Sequence, residues 1–84
     1  MDYTVTTVCR GGIYLESHAG KAVAEGEGLA PGDQFLPGYV VYLNAIFMLD
    51  SAGARRPATG VEKENIVRAI QSHFDTRGTL VDFE

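Results

Sequence analysis

Apolar and polar residues alternate near both ends of the chain and lose that order in the middle. Over residues 3–9, Tyr3, Val5, Thr7 and Cys9 fall on one face of an extended strand, and Thr4, Thr6 and Val8 on the other. β-branched residues dominate there, as a pleated surface prefers. Arg10-Gly11-Gly12 is a turn signal, because glycine reaches positive φ at no steric cost. Ile13-Tyr14-Leu15-Glu16 then alternates again, and the two runs predict a β-hairpin. Residues 17–33 are harder to read. Residues 21–25 fit a short helix or a strand, and Gly26, Gly28, Pro31 and Gly32 oppose anything long and regular after them. Ala30-Pro31-Gly32-Asp33 predicts a turn, Gln34-Phe35-Leu36 a brief extended piece, and Pro37-Gly38 a second break.

Residues 39–50 form the most apolar stretch, and both faces are apolar under either template. The opening Tyr-Val-Val-Tyr favours a central strand buried on both faces; a buried helix is the alternative. Residues 51–58 read as a polar loop carrying Arg55, Arg56 and Pro57. Thr59-Gly60-Val61-Glu62 then fits a capping box, which starts a helix over residues 60–77. Val61, Ile66, Val67, Ala69, Ile70 and Phe74 form its apolar stripe, Glu64 and Arg68 are spaced for an i,i+4 pair, and Gly78 suits the C′ position. Residues 79–83 alternate once more and read as a last strand. The order β-β-β-α-β predicts a single α+β domain over residues 1–84: a small, mostly antiparallel sheet with one amphipathic helix packed on one face.

Charge narrows the classes of partner. Eleven Asp and Glu against seven Lys and Arg give a net charge of −4 in 84 residues. That balance opposes the phosphate attraction behind nucleic-acid binding, and adsorption to an anionic membrane. It suits a protein partner with a basic surface. Cys9 is the only cysteine, so no internal disulfide and no thiolate zinc cage is expected, and a reducing cytoplasm is the simplest setting. Met1-Asp2-Tyr3-Thr4 has neither a basic nor an apolar leader region, so no signal peptide is expected. The apolar run is also too short for a membrane-spanning helix, which takes about 20 residues.

Candidate chemistry is sparse. Gly20-Lys21 matches the end of a phosphate-binding loop, but Leu15 and Ala22 stand where Gly and Ser or Thr belong. Gly26-Glu27-Gly28 begins a dinucleotide fingerprint that Pro31 breaks. His18 has no companion at metal-ligand spacing, and His73 sits near a helix end, where partial positive charge is favourable. Cys9 reads as a small buried hydrophobe. No catalytic residue, cofactor or metal set is therefore expected. Glu25, Glu27 and Asp33 gather carboxylates in a glycine-rich loop, and Tyr14, Tyr39 and Tyr42 are candidate interface anchors, since tyrosine joins apolar area to a polar tip. In general style, one short acidic domain without catalytic motif or targeting signal, the chain is similar to accessory and inhibitor proteins encoded by phages and mobile elements. That likeness implies host cytoplasm and transfers no site. The leading expectation is a non-catalytic protein-binding module, an inhibitor or adaptor acting on a larger intracellular protein, with a homodimer open as an assembly state. The alternatives are a self-assembling structural protein such as a virion subunit, a small enzyme with its active site between subunits, and, disfavoured by charge, a nucleic-acid binder.

Overall fold

The hairpin, the capped helix and the last strand all form, and three further strands join them. The structure, a computed structural model, describes residues 3–18, 20–28 and 38–84. The elements run β1 (Thr4–Cys9), β2 (Gly12–Ser17), β3 (Gly20–Gly28), β4 (Tyr39–Leu49), β5 (Arg55–Pro57), α1 (Gly60–Asp75) and β6 (Val81–Phe83). β1 to β5 pair antiparallel in sequence order, and β6 pairs parallel with β4. β3 occupies one edge of β4, so β5 and β6 share the other, β5 beside Phe47 to Leu49 and β6 beside Tyr39 to Val41. The turn expected around Pro31 and the extended piece at residues 34–36 lie outside the described residues.

Local chemistry explains most of the joints. Thr59 accepts from the Glu62 amide at 3.2 Å, and the Glu62 carboxylate accepts from the Thr59 amide at 2.9 Å. This reciprocal pair satisfies two donors that a helix start otherwise leaves orphaned. At the other end, the Thr79 amide reaches the Phe74 carbonyl at 3.1 Å and the Gly78 amide reaches Asp75 at 3.2 Å, with Gly78 at φ +68°. That is a Schellman ending, which needs a left-handed residue and so favours glycine. Between β4 and β5, the Asp50 side chain accepts from the amides of Ala52 and Ala54, both at 2.8 Å. This turn closes a hairpin where residues 51–58 read as loop.

Ile66, Ile70 and Phe74 of α1 pack on Tyr3, Ile13, Leu15, Ala22, Ala24, Tyr39, Val41, Ile46 and Met48 from one face of the sheet. Val67 and Ala69 are partly buried beside them. Val61, expected in the stripe, is 71% exposed. Ile66 lies five positions further on, and five helical steps turn the side chain well away from that face.

Three irregularities correct the sequence reading. The β1–β2 register shifts between Val5 and Thr7, so Val5 faces Leu15 while Val8, not Thr7, faces Ile13. The expected face of Tyr3, Val5, Thr7 and Cys9 therefore breaks at Thr6, and Cys9 is exposed rather than buried. In β3 the strand continues through Gly26 and Gly28 instead of ending before them. It can do so because Gly26 presses on β4: a Cβ there would land on the Val40 carbonyl oxygen and the Tyr39 ring. β4 is a strand, yet only one of its faces is buried. Tyr39 and Val41 point to the core, Tyr42, Leu43 and Asn44 bulge into solvent, and Ile46 and Met48 return to the core.

Candidate protein-binding surface

With α1 covering one face of the sheet, the other face is left open. Register puts Thr7, Tyr14, Val23, Phe47 and Pro57 opposite one another in a row across β1 to β5. Val23, although buried, lies outside the main core cluster. Its cross-strand neighbours Tyr14, which is 40% exposed, and the half-buried Phe47 flank it on the open side. Such cross-strand aromatic and β-branched pairs stabilise a sheet by roughly 0.2–1 kcal/mol each. Here they also leave apolar area facing out.

Charged residues frame the row. Two residues along the same face, Glu16 pairs with Lys21 at 3.5 Å. Glu25, beside the β3–β4 register shift, accepts from Arg55 at 2.8 Å, and the Arg55 guanidinium lies 5.3 Å from the Phe47 ring centre. Arg55 thus joins a rim carboxylate to the aromatic row by a charge-assisted bond and a cation–π contact. Towards the far end of β3, Glu27, Val40 and Asp82 form a second row on the same face. The Tyr42 hydroxyl donates to Glu27 at 3.3 Å. The Glu27 charge, followed by burial, that hydrogen bond and the Glu84 charge, holds the Tyr42 phenol above its usual range. Tyr42 therefore stays protonated near neutral pH and remains a donor.

The structure thus brings Tyr14, Glu25, Glu27 and Tyr42 onto one face, although Glu25 and Glu27 belong to a strand rather than to a loop. Tyr39 does not join them. It is 4% exposed, stacks at 5.8 Å on Phe74, and donates its hydroxyl to the Cys9 carbonyl at 2.7 Å. Its burial, together with the Cys9 charge, raises its phenol pKa. As part of the core and of the hairpin's anchorage, it cannot present a ring to a partner. Asp33 lies outside the described residues. Sequence reading missed Val23 and Phe47. The alternation of Lys21, Val23 and Glu25 carried the signal for Val23, but helix and strand were both open for that stretch. His73 also departs from expectation: burial, then the Arg77 charge, lowers its pKa and disfavours the positive form expected at a helix end.

Residues 5–84 match the family model described as immunity protein 74. The chain belongs to the immunity protein 74 family. Neither the curated proteins nor the solved structures include a match. Membership makes this a small immunity protein of the inhibitor kind, whose partner is another protein. It speaks for binding over catalysis, and over the virion-subunit alternative. An immunity protein needs a surface that its partner can desolvate. The open face joins uncovered aromatic area to charged, partly paired edges.

Proposed function

We propose that this immunity protein neutralises a toxin protein by seating the open face of its sheet on a basic surface of that toxin. The observation that carries the reading is the row opposite α1 in which the part-exposed Tyr14 and Phe47 flank the buried Val23, framed by Glu16, Glu25, Glu27 and Asp82. Tyr14 and Phe47 supply area to desolvate, and the carboxylates steer a cationic partner into register. Family membership supports inhibition as the outcome of that binding. Inhibition of this kind requires no chemistry from the inhibitor, only occlusion of a surface that the toxin uses.

The test is to co-express the chain with its captured partner. The expected result is a one-to-one complex in which the partner's toxicity to the cell is lost. Tyr14→Ala together with Glu27→Lys should restore the toxicity while the circular dichroism spectrum stays native. A partner that remains fully toxic when saturated with the wild-type protein refutes inhibition. Full protection by the double variant refutes the open face as the contact.

A further inference from the structure

A second surface lies on the helix side, at the free end of the sheet. β1 ends the strand order, so among the described residues its outer edge has no strand partner. Alternate N–H and C=O groups of such an edge point outward. Thr4, Thr6, Thr7, Val8 and Cys9 are exposed, and β1 contains no Lys, Asp, Glu or Pro to blunt the edge; its one protective feature is the register shift near Thr6. Beside this edge, between β1 and α1, runs a groove of about 450 Å³. Tyr3, Val5 and Ala69 contribute apolar lining; Arg68, His73 and Arg77 contribute nitrogen donors, and no Asp or Glu lines it. Arg77 donates to the His73 carbonyl, the His73 ring Nδ1 and the Thr76 hydroxyl, none of which cancels its charge. Arg68 reaches Glu64 at 3.4 Å, with both side chains well exposed, a pair too weak to commit it. In a chain of net charge −4, this groove is a local cationic exception.

We propose that an extended segment of a partner protein, bearing carboxylates at alternate positions, adds as a strand to the free edge of β1 and directs those carboxylates into the groove between β1 and α1. An added strand gains affinity from main-chain hydrogen bonds, whatever its sequence. Specificity then comes from every second side chain, because successive strand residues face opposite sides. Arg68 and Arg77 would give those carboxylates charge-assisted partners. The groove is separate from the open face, so this inference stands or falls independently of the toxin contact.

The experiment titrates the isotopically labelled full chain with acetyl-Val-Glu-Val-Glu-Val-Glu-amide, followed by amide chemical shifts. The expected result is saturable shifts confined to β1 and to residues 65–77. Alternate N-methylation of the peptide, which blocks strand pairing, should abolish them. The lysine-for-glutamate peptide should bind at least tenfold more weakly, and so should the glutamate peptide on Arg68→Gln/Arg77→Gln. Because the peptide controls leave the protein untouched, a variant that folds poorly does not blunt the test. Equal binding of the lysine peptide, survival of the N-methylated one, or shifts centred on Tyr14 and Phe47 would overturn the proposal. So would a dimer in sedimentation that Thr7→Pro dissolves and the glutamate peptide cannot displace, since the edge would then belong to a second copy.

Discussion

Glu62 serves two elements at once. Its carboxylate caps α1 at the Thr59 amide and also takes a two-pronged contact from Arg56 of β5, at 2.8 and 2.7 Å. The Arg56 hydrogen bond, then the Thr59 amide, lowers its pKa from 4.5 to about 2. A folded-state pKa below the unfolded one means that the unfolded chain binds more protons between the two values. The stability from Glu62 is therefore complete above about pH 4.5 and disappears as pH falls towards 2. Glu62→Gln retains a capping side chain but lacks the charge. Its melting temperature should fall below that of the wild type at pH 7, and the gap should narrow steadily between pH 4.5 and 2. A gap independent of pH would show that packing, not charge, distinguishes the two. The Thr59–Glu62 half of this arrangement was legible in the sequence because three residues separate the partners. The Arg56 half was not, because it exists only once β5 has paired with β4 and brought Arg56 beside the helix start.

Among the elements, α1 was the most legible, since its period, its cap and its terminal glycine all agree. Phe74 is the largest side chain it commits to the core, tilted against Tyr39 and met edge-on by the His73 ring at 5.4 Å. Phe74→Ala should cost about 3–5 kcal/mol, a large share of the stability of so small a domain. Urea denaturation measures it directly, and an unchanged midpoint would remove Phe74 from the core. β4 was illegible for a definite reason. Its inward positions are Tyr39 and Val41, then Ile46 and Met48, so the phase changes from odd to even across the bulge at residues 42–45. No single period describes that segment, and a two-face burial was the natural misreading. β3 was obscured by Gly26, whose lack of a side chain looks like a strand breaker but is what allows β3 and β4 to approach. The register shift at Thr6 in β1 likewise leaves no mark in the alternation.

At the scale of the whole molecule, one helix covers one face of a six-stranded sheet and the other face is left open. Glu25, Glu27, Tyr14 and Tyr42 could be picked out by residue type, but their shared face depends on registers across three strands, and the burial of Tyr39 depends on the helix arriving above it. The geometry also separates two kinds of contribution to binding. Glu25 is already held by Arg55, so reversing it places a cation against another cation and disturbs the rim as well as the field. Among the described residues, Glu27 is held by the Tyr42 hydroxyl alone, so its charge remains available to a partner. Glu27→Lys should therefore slow association with the partner several-fold at low ionic strength, with the difference shrinking as salt shortens the Debye length from about 30 Å at 0.01 M to about 10 Å at 0.1 M. Tyr14→Ala removes apolar area rather than charge, so it should leave association nearly unchanged and speed dissociation at every salt concentration. Stopped-flow association and chase-dissociation rates on the same complex separate the two. If Glu27→Lys alters neither rate at low salt, the carboxylates of this face do not steer. If Tyr14→Ala alters neither rate as well, the partner sits elsewhere, and the edge of β1 with its cationic groove becomes the surface on which to look for it.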